Sequence, residues 1–341
     1  MTLRLYAHTL ELKHAFTLAR STRTTTPIML VELERDGIVG YGEASMPPYL
    51  GETHETARAF LSRVDLTPFD DLFQLEEILT WIDKLQPGQH AAKAAVDMAL
   101  HDWVGKAIGM SWHRLWGLCP DRAPATSFTL AIDTPQIVAE RARDATDAHI
   151  LKVKLGRDND RAIVTAIRTV TDKPLRVDVN QGWESRDEAL AMIEWLATQN
   201  VELVEQPLGK ERREDLVWLR ERSPLPIVGD EGVSRLADVR AAVGVYDAIN
   251  VKLMKCTGLR EAHRMIEVAR ALGLKIMLGC MTETSCAISA AAQLSPLADW
   301  VDLDGALLIG NDFFRGAVLR DGRMQIPLAP GIGATKIRDL R

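Results

Sequence analysis

Short apolar runs recur along the C-terminal two-thirds of the chain. They read TSFTLAI, ILKVKL, LRVDVN, VELVEQP, IVGDE, AINVKL, KIMLGC and WVDLDG. The centres of the last seven, Val153, Val177, Leu203, Val228, Val251, Met277 and Val301, lie 24, 26, 25, 23, 26 and 24 positions apart. Between most of them sit amphipathic stretches such as RDEALAMIEWLATQN and LREAHRMIEVARALG, whose apolar positions follow a helical period. Strands alternating with helices at a near-constant repeat predict βα units and a parallel sheet. Eight such strands fit a closed barrel better than an open sheet. An open doubly wound sheet is the other α/β solution, but the chain lacks the G-x-G-x-x-G turn that a dinucleotide fold of that kind carries after its first strand.

The N-terminal part has another texture. IMLVELERDGIVGYGEAS alternates as a hairpin does, with Asp36-Gly37 as its turn. AAKAAVDMALHDWVGKAIG is apolar at helical spacing and has Gly109 as a C-terminal cap. Residues 1–118 therefore read as an α+β domain, and residues 119–310 as the barrel. The Gly/Pro-rich segment 311–341, ending LAPGIGATKIRDLR, is expected to pack back on the N-terminal domain.

Composition narrows the function. The chain has 341 residues, 47% of them apolar, enough for a large core. Net charge is −6 with acids and bases intermixed, and no basic patch is interleaved with aromatics, so nucleic acid is not an expected partner. MTLRLYAHTLELKHAF has no long apolar core of a signal peptide, and no run reaches the length of a membrane span. Cys119, Cys256, Cys280 and Cys286 show no C-x-x-C spacing, which predicts a reduced, cytoplasmic protein without zinc.

Barrels of this kind carry their chemistry at the C-terminal ends of the strands. In order, those ends hold Lys152 and Lys154, Asp178 and Asn180, Glu205, Asp230 and Glu231, Lys252, then Thr282 and Glu283 in GCMTET, and finally Asp302 and Asp304. Residues two apart share a strand face. Asp178, Glu205 and Asp230, from three adjacent strands, repel one another unless a cation lies between them. An all-oxygen set favours a hard ion, Mg²⁺. The alternative is that each acid pairs with a lysine across the barrel. Lys154 and Lys252 stand on the second and sixth strands, opposite each other in a ring of eight. A carbon held between them can lose a proton from one face and regain it on the other. Lys152 and the cation are expected to pull the pKa of Lys154 down toward neutrality. Lys255, three residues past Lys252, reads as a loop or helix-start residue.

As a set, Lys152-Val153-Lys154, Asp178-Val179-Asn180, Glu205-Gln206-Pro207, Asp230-Glu231 and the lysine of NVKLMKCTG resemble the enolase superfamily in its muconate-lactonizing-enzyme subgroup. GYGEAS and KAAVDMALHD match its capping domain. The resemblance implies a (β/α)7β modified TIM barrel with an N-terminal α+β capping domain completed by the C-terminal segment. It also implies one Mg²⁺ per subunit on Asp178, Glu205 and Asp230, supported by Asn180 and Glu231, and an enediolate intermediate. Asp302-Leu303-Asp304 resembles the D-x-D signature of dipeptide epimerases, where the pair holds the α-ammonium of the substrate. The implied activity is epimerisation of L-Ala-D/L-Glu or a related dipeptide, with Lys154 serving the L epimer and Lys252 the D epimer. A homo-oligomer working in cell-wall peptide metabolism would suit that substrate.

In the family a mobile capping-domain loop closes over the substrate side chain. Here it matches LARSTRTTTP, and Arg20 or Arg23 is the candidate partner for a side-chain carboxylate. MPPYLGETHE is a second lid segment, with Tyr49 and Leu50 offering apolar contact. Two departures stand out. Val179 replaces the usual Ala, and Gly229 and Gly232 flank the fifth-strand acids, with Gly232 expected to loosen the following loop. One rival within the fold is an o-succinylbenzoate synthase or muconate cycloisomerase-type reaction. Outside it, a Schiff-base aldolase on a buried lysine and a non-catalytic ligand-binding barrel are the alternatives.

Overall fold

The computed structural model describes residues 1–340. Three antiparallel strands open the chain in the order β1 (Thr2–Thr17), β2 (Thr22–Arg35) and β3 (Ile38–Ser45). The β2–β3 turn places Asp36 and Gly37 at φ 53° and 76°, the left-handed pair that a two-residue hairpin with the native twist demands. Three helices follow, α1 (His54–Leu61), α2 (Leu75–Leu85) and α3 (His90–Ala107). Helix α3 is buried from Ala91 to Gly105, and Gly109 beyond its end is left-handed at φ 69°. The small residues of α3 let it lie directly on β3. A Cβ added at Gly42 would fall 1.8 Å from the carbonyl oxygen of Ala95, so only glycine permits that approach.

The second body is a ring of eight parallel strands: β4 (Ser127–Leu130), β5 (Ile150–Lys154), β6 (Leu175–Asp178), β7 (Val201–Glu205), β8 (Ile227–Gly229), β9 (Ala248–Lys252), β10 (Lys275–Gly279) and β11 (Trp300–Asp302). Each pairs with the next, and a Thr126–Val301 bridge brings the first and last together. Each of the seven crossovers contains a helix, giving a (β/α)7β barrel. All seven apolar centres picked out by their spacing fall inside β5–β11. The strands are nearly all buried because helices cover one face and the barrel interior the other.

The last segment returns to the first sheet. Gly310 donates its N–H to Glu11 O (2.8 Å), the Phe313 ring lies 4.3 Å from that of His8, and Phe314 meets Tyr41 edge-on at 5.3 Å. Asp102, buried in α3, accepts from the N–H groups of Tyr41 and Ile332 and pairs with Lys106 at 2.6 Å. One carboxylate thus ties β3, α3 and the C-terminal segment together. The capping domain sits over the barrel mouth. Asp97 of α3 accepts from the N–H groups of Leu259 and Arg260, at the start of the helix Leu259–Ala271.

Candidate active site

Strands β5 to β9 end in charged residues that meet inside the ring. One carboxylate oxygen each from Asp178, Glu205 and Asp230 lies within 4.8 Å of the others, and all three residues are buried. Amines surround them. Lys154 Nζ donates to Asp178 Oδ2 at 2.6 Å, and Lys252 Nζ to Asp230 Oδ2 at 2.8 Å. The lysines come from strands four places apart in the ring, so each approaches a different outer member of the triad. Lys152 Nζ stands between, 2.7 Å from Glu205 Oε2, 2.7 Å from Asp302 Oδ2 and 3.1 Å from Asp178 Oδ2. Its contact with Glu205 is an ion pair without hydrogen-bond geometry, and among the described residues Glu205 Oε2 has no hydrogen-bond partner. Glu205 Oε1 accepts from Asn250 Nδ2 at 2.7 Å.

The backbone at these strand ends is shaped for the task. Asn180 and Gln181 after β6, and Gln206 after β7, adopt φ of 46°, 64° and 37°. Such left-handed positions outside glycine cluster where the surroundings over-determine them. The turn returns the Asn180 N–H to Asp178 Oδ1 at 3.0 Å, and the Asn180 amide donates to Glu231 Oε1 at 3.3 Å.

Electrostatics splits the acids. Burial raises the carboxyl of Asp178, but Lys154 and Lys152 outweigh it and hold the group at about 2. Asp230 is likewise raised by burial and driven well below the usual range by Lys252 and Lys255. Glu205 stays raised, by burial and by Asp178. Glu231, buried beside Asp230 and Asp178, is pushed up to about 7. Two of the lysines, Lys152 and Lys252, shift upward. Burial does lower Lys152 and Lys252, yet Asp302, Glu205 and Asp178 around the first, and Asp230 beside the second, carry both well above the ordinary lysine value. More carboxylates than amines face each of these ammonium groups, so crowding by a neighbouring lysine is outvoted.

Lys255 also departs from expectation. It lies on the short helix Leu253–Cys256, but its buried ammonium bonds Asp230 Oδ1 and three backbone oxygens, those of Asp230, Val233 and Asn250, at 2.6 to 2.9 Å. It holds Oδ1 of Asp230, while Lys252 holds Oδ2. Gly232 does not loosen its loop. A Cβ there would lie 2.2 Å from Tyr246 Oη, and one at Gly229 would strike the Tyr246 ring at 2.7 Å. The two glycines make room for Tyr246, whose hydroxyl accepts from Gln206 Nε2 at 3.1 Å. Gln206 Oε1 in turn accepts from the N–H groups of Asp230 and Gly232.

On the far side of the mouth, Asp302 and Asp304 are held by the first strand. Ser127 Oγ donates to Asp302 Oδ1 at 2.7 Å, and the Thr129 N–H donates to Asp304 Oδ2 at 2.6 Å. Lys152 and Lys154 keep Asp302 low against its burial. Asp304 forms no ion pair among the described residues, and burial together with Asp302 raises it to about 7. A cavity joins this pair to the lysines, lined in addition by Phe16, Arg23, Tyr49, Asn180, Met281 and Thr282. Tyr49 donates its hydroxyl to Met281 Sδ. Glu283 is absent from the lining. Its Oε1 accepts from Met281 N–H, and its carboxyl is raised to about 8 by burial and by Glu43 of β3.

Arg20 and Arg23 are now distinguishable. Arg20 is exposed and donates to Gln181 O at 2.9 Å. Arg23 lines the cavity, lies 4.9 Å over the Phe16 ring, forms no ion pair among the described residues, and leaves Nε without a partner. Burial draws its pKa below the usual guanidinium value.

Fold and rim together define an enzyme class: a barrel whose reacting groups converge at the C-terminal ends of its strands under a capping domain. The chain belongs to the mandelate racemase and muconate lactonizing enzyme family of the enolase superfamily. Residues 1–117 match the family's model "Mandelate racemase / muconate lactonizing enzyme, N-terminal domain", and residues 137–339 match "Enolase C-terminal domain-like". Among curated relatives, an L-Ala-D/L-Glu epimerase of Bacteroides thetaiotaomicron is 52% identical over 338 residues, covering 99% of this chain and 88% of that protein. Among solved structures, a dipeptide epimerase of Enterococcus faecalis V583, complexed with Mg and the dipeptide L-Leu-L-Tyr, is similar at TM-score 0.91 and 31% identity, over 98% of both chains. A substrate-liganded L-Ala-D/L-Glu epimerase of Bacillus subtilis matches at TM-score 0.91 and 30% identity, also over 98% of each.

Proposed function

We propose that the protein is a Mg²⁺-dependent dipeptide epimerase that inverts the α-carbon of the C-terminal residue of L-Ala-D/L-Glu or a close analogue. The observation that carries this reading is the pair of lysines, Lys154 and Lys252, reaching the acid triad from strands on opposite sides of the ring. Asp178, Glu205 and Asp230 fit a hard divalent cation, being buried, all-oxygen and within 4.8 Å of one another. Bound there, such a cation supplies positive charge beside the substrate's terminal carboxylate, offsets the negative charge that develops on proton loss, and lowers the lysine pKa values.

The protein's own groups do the rest. Asp302 and Asp304 take the dipeptide ammonium, and Ser127 and Thr129 hold those acids in place. Lys154, deprotonated, removes the α-proton from one face, and Lys252, protonated, delivers a proton to the other. The reverse direction exchanges their roles. The cavity binds a substrate with the reacting carbon between the two amines, where water has little access. Arg23 supports an acidic side chain, since it brings an unpaired cation to the cavity wall, and a side-chain carboxylate satisfies it bidentately. Arg20 already serves a backbone oxygen. A diacid without an ammonium group would meet Asp302 and Asp304 as like charges, which disfavours cycloisomerase chemistry.

Among the described residues no helix is long and apolar enough to cross a membrane, and all four cysteines are free. The family resemblance, and not these two facts, is what suggests the further reading of a cytoplasmic enzyme of cell-wall peptide metabolism that acts as a homo-oligomer. The test of the activity is a dipeptide library incubated with enzyme and Mg²⁺ in D₂O. L-Ala-L-Glu should gain one mass unit and yield its D epimer. A library without any mass gain would overturn the proposal.

A further inference from the structure

The β1–β2 hairpin that carries Arg23 projects past its sheet. Its register shifts between Glu11 and Phe16, and beyond the shift only Phe16–Arg23 and Thr17–Thr22 pair. A tip so weakly held by its own sheet needs support from elsewhere, and the barrel provides it at few points. Arg157 Nη2 donates to Leu18 O at 2.8 Å, and Arg157 Nε to Ala19 O at 3.3 Å. Ile132 N–H reaches Thr17 O at 3.0 Å, and Arg20 reaches Gln181 O. The Ala19 methyl rests on a shelf of two glycines, where a Cβ at Gly156 or Gly182 would come within 2.9 Å of it.

Arg157 is itself rooted. Buried Asp160 accepts from the N–H groups of Gly156 and Arg157 at 2.9 to 3.0 Å and from Trp183 Nε1 at 2.9 Å. This fastens the loop after β5 to the loop after β6. Arg157 lies three residues beyond Lys154, so the strand that ends in the lysine also holds the hairpin tip. The two carbonyls it grips belong to Leu18 and Ala19, the two residues that follow Phe16-Thr17. Phe16 and Leu18 line the cavity, and the Phe16 ring supports the Arg23 guanidinium.

We infer that Arg157 is a positioning residue for substrate choice: by clasping the Leu18 and Ala19 carbonyls it keeps the hairpin closed and Arg23 in the cavity, so that its loss weakens recognition of an acidic side chain specifically. The inference rests on the dipeptide reading above. It assigns Arg157 no contact with substrate.

The experiment compares wild type, R157A, R157K, R23M and R157A/R23M on L-Ala-L-Glu and L-Ala-L-Leu, with trypsin cleavage at the tip (after Arg20 and Arg23) followed without substrate. Two hydrogen bonds from a charged donor predict that R157A raises KM for L-Ala-L-Glu about tenfold or more. kcat and the KM for L-Ala-L-Leu should change less than about threefold. R157A should add nothing to R23M, R157K should recover part of the loss, and the R157A tip should be cleaved faster than wild type. Equal KM shifts for both dipeptides, a matching fall in kcat, or unchanged tip cleavage would overturn the inference. If wild type turns over neither dipeptide, the epimerase reading fails, while the cleavage rates still decide whether Arg157 holds the tip.

Discussion

Two groups of buried acids lie close together in this molecule and behave in opposite ways. At the barrel mouth, Asp178 and Asp230 are fully buried yet held strongly acidic, because Lys152, Lys154, Lys252 and Lys255 stand against them. At the seam between capping domain and barrel, Glu43 and Glu283 are equally buried and form no ion pair among the described residues. Glu43 accepts from the N–H and hydroxyl of Thr284, but burial still raises it to about 7, and Glu283 rises to about 8. Burial alone pushes a carboxyl toward its neutral form, and at Asp178 and Asp230 the facing amines reverse this. The mouth keeps its negative charge in place where a cation is to bind. Below about pH 7 the seam holds its protons, and with them a domain contact without buried charge.

Breaking the mouth should have the largest effect. E205Q removes the triad acid whose anion is least supported. Epimerisation should fall by about 10³-fold or more, and the Mg²⁺-induced rise in melting temperature should vanish in a thermal-shift assay. Chelation of wild type should reproduce both losses, and Mg²⁺ should restore them only in wild type.

The ammonium end should respond next. D304N removes a charged partner, which predicts a KM rise of about 10- to 100-fold from a loss of about 1.5–3 kcal/mol. Because Asp304 is raised to about 7, its anion is lost as pH falls through that value. Wild-type KM should therefore climb below pH 7, while the D304N profile stays flat there. An unchanged KM would remove the ammonium role and reopen the cycloisomerase alternative.

At the seam the sign runs the other way from ordinary acid unfolding. Glu43 and Glu283 bind their protons more tightly folded than unfolded, with values raised from 4.5 to about 7 and about 8. Their contribution to stability is fully present below pH 4.5 and is lost as pH rises toward 8. E283Q, which keeps the acceptor for Met281 N–H, should match wild type near pH 5. At pH 8 it should melt a few degrees higher, about 2–4 °C for each kcal/mol gained. Equal melting at both pH values would show that the seam carboxyls do not share a proton-stabilised environment.

The smallest effect concerns the glycines beside Asp230. G232A forces a methyl to within 2.2 Å of Tyr246 Oη and should destabilise by about 1–3 kcal/mol, measured by denaturant unfolding. Y246F alone loses one hydrogen bond to Gln206, about 1 kcal/mol, and in the G232A background it should recover part of the loss.

Much of this was legible in the chain. The strand period displayed the acids and lysines, because alternation aims residues two apart at one face and a constant repeat makes strand ends recognisable. What escaped depended on closure in three dimensions. Ser127 and Thr129 touch acids about 175 positions away, a contact that only barrel closure creates. Lys255 was hidden because a single helical turn carries it back to Asp230. Arg20 and Arg23 are alike in sequence, and the docked hairpin tip separates them. The upward shift of Lys152 and Lys252 follows from all the charges that face them, which spacing alone does not supply. Gly232 suggested mobility, but the ring of Tyr246 gives it a packing reason.

The most direct test of the opposed-lysine geometry is α-proton exchange in D₂O, followed by NMR for L-Ala-L-Glu and L-Ala-D-Glu separately with K154A and K252A. The account predicts that K154A abolishes exchange of the L epimer while the D epimer still exchanges, and that K252A does the converse. Equal loss for both epimers in either variant, or no loss at all, would contradict two amines working on opposite faces of one carbon.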